Sequence, residues 1–182
     1  MEECLKIAND IKYSTINQES QERFQKGSTI IPNEELYFYD IEVYPNLFLV
    51  AFKKYHDESS KTIWINPTPT QMEWLTSKPL VGFNNRRYDN HIVYSRMLNE
   101  DIMSLYRQSQ RIIGKQGDSA FYGGAYELSY TDIYDYCSAA NKMSLKKWQV
   151  KLRIHHDELD FPWDKPVPEK DWPRVGQYCM ND

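Results

Sequence analysis

Two carboxylates stand out first. Asp40 and Glu42 lie two residues apart inside a run of apolar, aromatic and β-branched residues (Leu36, Tyr37, Phe38, Tyr39, Ile41, Val43). Side chains two apart on a strand point to the same face, so both acids project together. Holding two like charges side by side away from water is costly unless a cation neutralises them. The pair is therefore a place for a hard divalent cation, or else the polar face of an edge strand that meets water. A second polar cluster, Asn84, Asn85, Arg86, Arg87, Tyr88 and Asp89, follows the apolar Val81 and Phe83. It sets a carboxylate near the start of a helix, where an ordinary N-cap is the plain alternative. A third pair, Tyr178 and Asp182, is spaced by four, which puts phenol and carboxylate on one helical face. Tyr and Asp are also common on helix surfaces.

The elements that must position these groups follow from the local pattern. Residues 36–43 read as a strand, Tyr44, Pro45 and Asn46 as a turn, and residues 47–53 and 62–65 as two further strands of an antiparallel meander. Residues 69–76 read as a short helix with Met72 and Leu75 inward, and 80–83 as a short buried strand. A helix begins near Asn90 and another covers 101–113. Residues 114–124 read as a loop and 125–134 as a strand. Ser144 caps a helix running to about residue 152. Residues 162–168, with three prolines, read as an extended linker, and Asp171, Trp172 and Pro173 open a last helix. Three strands followed by helices alternating with single strands imply an α/β sheet with antiparallel and parallel members. Residues 1–34 read as an amphipathic helix (Leu5, Ile7, Ala8, Ile11) and a polar loop, set apart from a domain over 35–182.

Composition narrows the class. A chain of 182 residues fits one domain, and 41% hydrophobic residues are enough for a sizeable core. The longest apolar run, 47–52, is far too short to span a bilayer, so no membrane partner is expected. An acidic N-terminus (Met1, Glu2, Glu3, Cys4) lacks the basic region of an export signal. Three scattered cysteines, Cys4, Cys137 and Cys179, make a disulfide framework or a structural zinc site a poor fit, so a cytoplasmic location is expected. The net charge of −4 argues against a sequence-independent DNA-coating protein, so any nucleic-acid contact must use a local patch or a metal site.

Taken together and in order, the three clusters resemble the DEDD 3′→5′ exonucleases of the tyrosine-type subgroup. That family includes the proofreading domains of DNA polymerases and the RNase D-like exoribonucleases. Asp40-Ile41-Glu42 matches the first motif, DxE. Asn85 with Tyr88-Asp89, or Asn84 at the longer spacing, matches the second. Tyr178 and Asp182 match the third, YxxxD; the histidine-type subgroup would have His at position 177, which is Gln. The segment 39–44 looks most like exonuclease domains of phage-type DNA polymerases.

The resemblance implies a ribonuclease H-like α/β fold, a mixed central sheet whose first three strands are antiparallel, with helices on both faces. It implies two divalent ions, Mg²⁺ or Mn²⁺, which suit hard oxygen ligands. Asp40 would bridge both ions, Glu42 and Asp182 would complete the site of the attacking water, and Asp89 would hold the second ion. Tyr178 would orient the water. The expected substrate is a single-stranded or frayed DNA 3′ end, released as nucleoside 5′-monophosphates. A polymerase domain is expected to follow Asp182, in a phage-encoded protein working in a bacterial host. Asn84, Asn85, Arg86 and Arg87 are candidate substrate contacts, with Arg86 and Arg87 equally able to pair with an acid. Leu47 is a candidate wedge against the terminal base, or core.

Other residues are assigned bland roles. Arg107, Arg111 and Lys115 read as a solvated helical face, as do Lys146 and Lys147 beside Trp148. His155 and His156 read as a polar loop, His91 as a helix-surface residue and Cys179 as a buried small hydrophobe. The rivals are an RNase D-like exoribonuclease and a non-catalytic nucleic-acid-binding module of the same fold. The latter would be expected to lack a carboxylate, and all four are present.

Overall fold

Tyr37–Tyr44 (β1) and Leu47–Lys54 (β2) form a hairpin closed by Pro45 and Asn46, with Asp40 opposite Ala51 and Glu42 opposite Leu49. The computed structural model describes residues 32–115, 120–137, 142–154 and 158–182; the helix expected near the N-terminus lies outside them. Thr62–Ile65 (β3) pairs antiparallel to β2, Leu80–Gly82 (β4) pairs parallel to β1, and the two-residue strand Thr131–Asp132 (β5) pairs parallel to β4. The result is a five-stranded mixed sheet in the order β3-β2-β1-β4-β5.

The helices follow local chemistry. Thr68 and Gln71 close a capping box at the start of Pro69–Thr76 (α1). Asp89–Met97 (α2) begins at the acid of the second motif, and Asp101 caps Ile102–Ile113 (α3). Ser144 caps Leu145–Leu152 (α4), and Trp172–Asn181 (α5) carries Pro173 in its first turn, where a missing N–H costs nothing.

Alternation along β1 and β2 splits the core into two. Tyr39, Ile41, Val43, Phe48 and Val50 meet Met72 and Leu75 of α1, Ile92 of α2 and Leu105 of α3 on one face. Tyr44, Leu47, Leu49 and Ala51 meet Val167 and α5, through Val175 and Cys179, on the other. The sheet is thus covered by helices on both sides. Gly176 sets the closeness of α5, since a Cβ there would come within 2.8 Å of Ile63.

Two expected elements differ. Residues 125–134 are not a strand: a 3-10 turn, Gly123–Glu127, leads to the two residues of β5 and a second turn, Ile133–Tyr136. The cause is tertiary, because the Asp132 carboxylate turns inward to accept from the N–H groups of Asn84 and Arg86, and from that position it also accepts from the Tyr134 N–H (2.9 Å), ending the strand. The proline-rich segment is not extended throughout, since Lys165 N–H donates to Pro162 in a turn (3.1 Å). Asn46 then exchanges two hydrogen bonds with the backbone of Val167 (2.8 and 2.9 Å), tying the approach to α5 to the β1–β2 hairpin.

Candidate metal centre

β1 sends Asp40 and Glu42 to the face opposite Tyr39, Ile41 and Val43. Asp182 reaches them from the end of α5. The carboxylates of Asp40, Glu42 and Asp182 each offer an oxygen within 4.8 Å of the others. One turn back on α5, Cys179 packs beneath them, its thiol donating to Asp40 Oδ2 (3.7 Å). Asp89, the first residue of α2, is buried and faces the same acids, with the Ile41 N–H and its own N–H holding its carboxylate. All four acids line one cavity of about 610 Å³, which Asn84 and Tyr88 also border.

The electrostatics record the crowding. Asp40 is pushed up to about 7, first by burial and then by the charge of Asp182. Glu42 is raised by burial, then by Asp40, Asp182 and Asp89, with Lys146 pulling the other way. Asp89 is raised by burial and then by Asp40. Each acid resists ionisation because its neighbours share the same charge in a poorly solvated place. A divalent cation reverses that sign. Around an ion with Mg–O bonds of about 2.1 Å, ligand atoms stand at most about 4.2 Å apart. The 4.8 Å limit on the three oxygens is only slightly wider, and an all-oxygen donor set matches a hard ion. The residues fit the group.

Tyr178 lies one turn before Asp182. Its phenol is held well above its ordinary value by burial, then by Asp182 and Glu42, so it stays neutral at pH 7–9. The Lys146 ammonium sits over the Tyr178 ring, 5.4 Å from its centre. From the same helix, Gln149 is buried and its Nε2 donates to Asp182 Oδ1 (3.2 Å). Lys146 therefore faces the site rather than a solvated surface. The missed signal was the i, i+3 spacing of Lys146 and Gln149, which puts both on one side of α4.

The second motif is built around an acid that sequence reasoning passed over. Asp132 is buried and accepts from the N–H groups of Asn84 (2.7 Å) and Arg86 (3.1 Å). With its amide oriented nitrogen toward Asp132, the assignment that satisfies both ends, Asn85 donates to the same carboxylate (3.0 Å) and accepts from Ser129 Oγ (2.9 Å). Asn84 takes a left-handed φ of 62°, which Asn tolerates better than most residues. Gly82 is required beneath this turn, because a Cβ there would fall 2.9 Å from Asn85. The turn is thus pinned from below, and α2 leaves it with Asp89 aimed at β1.

Several expected contacts are corrected. Leu47 has no exposed surface; it packs with Val167 and Val175 and is core, not a wedge, because β2 is an interior strand covered by α5. Asn85 is buried under the turn and cannot meet substrate as placed, whereas Asn84 borders the cavity. Arg86 and Arg87 pair with Asp135 at 3.0 and 3.8 Å. His91 is not on a helix surface. It is fully buried, with Nδ1 accepting from the Tyr122 N–H and Nε2–H donating to the Arg86 carbonyl, both at 3.0 Å. Those two bonds clamp the turn before α2 to the segment before the 3-10 turn at Gly123. Arg107, Arg111 and Lys115 are exposed, as expected, and Cys179 is buried. The expected loop at His155 and His156 lies outside the described residues.

No known family model matches the chain, and no curated protein or solved structure matches it either. Among the described residues, no helix is long and apolar enough to cross a membrane.

Proposed function

We propose that this chain is a metal-dependent 3′→5′ exonuclease of the tyrosine type, acting on DNA as the proofreading domain of a phage-type DNA polymerase in a bacterial cytoplasm. The observation that carries it is the meeting of Asp40, Glu42 and Asp182 within 4.8 Å, with Asp89 facing the same cavity. Four acids scattered along the chain converge on one cleft, and Tyr178 stands beside them. The sheet order β3-β2-β1-β4-β5, with β1–β3 antiparallel and β4 and β5 parallel to β1, supports a ribonuclease H-like fold for the domain.

Asp40, Glu42, Asp89 and Asp182 would hold the divalent ions. Two such ions, Mg²⁺ or Mn²⁺, supply an activated water and relieve charge on the leaving 3′ oxygen. The protein's own contribution is placement. Asp40 sits on a central strand whose register is set by the hairpin, so its carboxylate is rigid. Tyr178 keeps its proton and can hold a water in line with the scissile phosphate, donating or accepting as required. Asn84, at the cavity edge, offers an amide to the last nucleotide, and the cavity of about 610 Å³ is of a size to admit one mononucleotide unit. No side-chain nucleophile is required.

The test is a labelled single-stranded oligonucleotide, as DNA and as RNA, with Mg²⁺ or Mn²⁺. Stepwise release of nucleoside 5′-monophosphates from the 3′ end of DNA is expected, with loss of at least about 10²-fold in Asp40→Ala and Asp89→Ala, since each removes a ligand of the ion centre. Unchanged cleavage in both variants would reject the site. Preference for RNA would keep the site and move the protein to the RNase D-like exoribonucleases.

A further inference from the structure

We infer that Gln149 is a positioning residue for the ion centre, holding the Asp182 carboxylate in place from outside the three sequence motifs. The inference rests on the metal-centre reading above and adds to it a residue that the motifs do not contain.

Asp182 reaches the centre from α5 rather than from the sheet. It follows the last turn of α5, where its N–H donates to the Tyr178 carbonyl at 3.2 Å, whereas Asp40 is built into a central strand. Its carboxylate accepts from Gln149 Nε2 at 3.2 Å and from the Tyr178 phenol one turn back. Gln149 lies on α4, 4% exposed, so its amide is fixed by packing and cannot swing to solvent. The orientation of the amide is forced: turning the carbonyl toward Asp182 would set oxygen against oxygen. With Nε2 on Asp182, Gln149 Oε1 is buried with no hydrogen-bond partner. A buried amide oxygen without a donor carries a real cost. Gln149 is thereby placed to orient an ion ligand through its amide nitrogen. Outer partners of this sort fix ligand orientation and typically change metal affinity by about 10–100-fold when removed.

The experiment compares wild type, Gln149→Met and Asp40→Asn by thermal melting over an Mn²⁺ titration, alongside exonuclease rates at each concentration. Met keeps the volume of Gln149 but has no amide. Gln149→Met should melt within about 3 °C of wild type in EDTA, yet need about tenfold more Mn²⁺ for half its stabilisation. Its kcat should recover to within about threefold of wild type at saturating Mn²⁺, because the ligands themselves remain. Asp40→Asn should show no Mn²⁺ stabilisation. A Gln149→Met protein with the wild-type Mn²⁺ midpoint, whatever its melting temperature, overturns the role of Gln149 alone, provided wild type responds to Mn²⁺ and Asp40→Asn does not. A wild type indifferent to Mn²⁺ overturns the metal centre and this inference with it.

Discussion

Replacing Asp40 by Asn should make the ion-free protein more stable at pH 8. Asn matches Asp in volume and removes one negative charge from the crowded cleft. In the folded chain Asp40 rises from its ordinary 3.8 to about 7. At about 1.4 kcal/mol per pH unit, holding it ionised costs on the order of 4 kcal/mol above pH 7. The charge repulsion within that cost is of the same order: two unit charges no more than 4.8 Å apart repel by at least about 3.5 kcal/mol at an effective dielectric of 20. For a folded unit of this size, each kcal/mol moves the melting temperature by about 2–4 °C, so a rise on the order of 10 °C is expected. The sign with pH follows from proton binding. Between pH 4 and 7 the folded chain holds a proton on Asp40 that the unfolded chain has lost, so wild-type stability falls as pH rises through that window. At pH 5 folded Asp40 is protonated, most of its penalty is absent, and the two proteins should melt close together. Excess Mn²⁺ should close more than half of that gap at pH 8. At a hundred times its Kd the ion would stabilise wild type by about 2.7 kcal/mol, and the variant, lacking one of the carboxylates that would hold it, should gain almost nothing. Melts followed by circular dichroism at pH 5 and pH 8, in EDTA and in Mn²⁺, contain the whole comparison. The reasoning fails if Asp40→Asn is no more stable than wild type in EDTA at pH 8, or if both gain equally from Mn²⁺.

Lys146→Met removes the cation that restrains the rise of Glu42, so Glu42 should ionise at higher pH and the acid limb of the pH–rate profile should move up. Asp132→Ala leaves the N–H groups of Asn84, Arg86 and Tyr134 without their acceptor and should cost about 2–4 kcal/mol by urea denaturation, with a fall in activity as the turn before Asp89 loosens. Leu47→Ala should cost about 2–5 kcal/mol as a core cavity while leaving KM for single-stranded DNA unchanged at a temperature where the variant is folded. A KM effect without destabilisation would restore the wedge role.

Much of the scaffold was legible in the chain. The alternation of Tyr39, Ile41 and Val43 with Asp40 and Glu42 announced both a strand and its polar face, since a period of two is a local property of an extended backbone. Ser144 marked a helix start because capping is settled within four residues. The short span 131–132 was not legible, because its end depends on where the Asp132 carboxylate finds donors 46 and 48 residues earlier in the chain. His91 was misjudged for the same reason: its two partners, the Arg86 carbonyl and the Tyr122 N–H, come from different segments.

Residue type and spacing alone determined that three acidic clusters existed, which faces of strand or helix carried them, and that a cation would be needed if they met. Whether they met was decided by long-range packing. Only the seating of α5 against β2, with Gly176 allowing close approach to Ile63, brings Asp182 to Asp40 and Glu42. Only the burial of Asp132 and His91 aims Asp89 at the same cleft. Likewise Leu47 and Lys146 exchange their expected places, one going into the core and the other to the site. A side chain's reach is a few ångströms, so local sequence fixes its direction, whereas the fold chooses its neighbours.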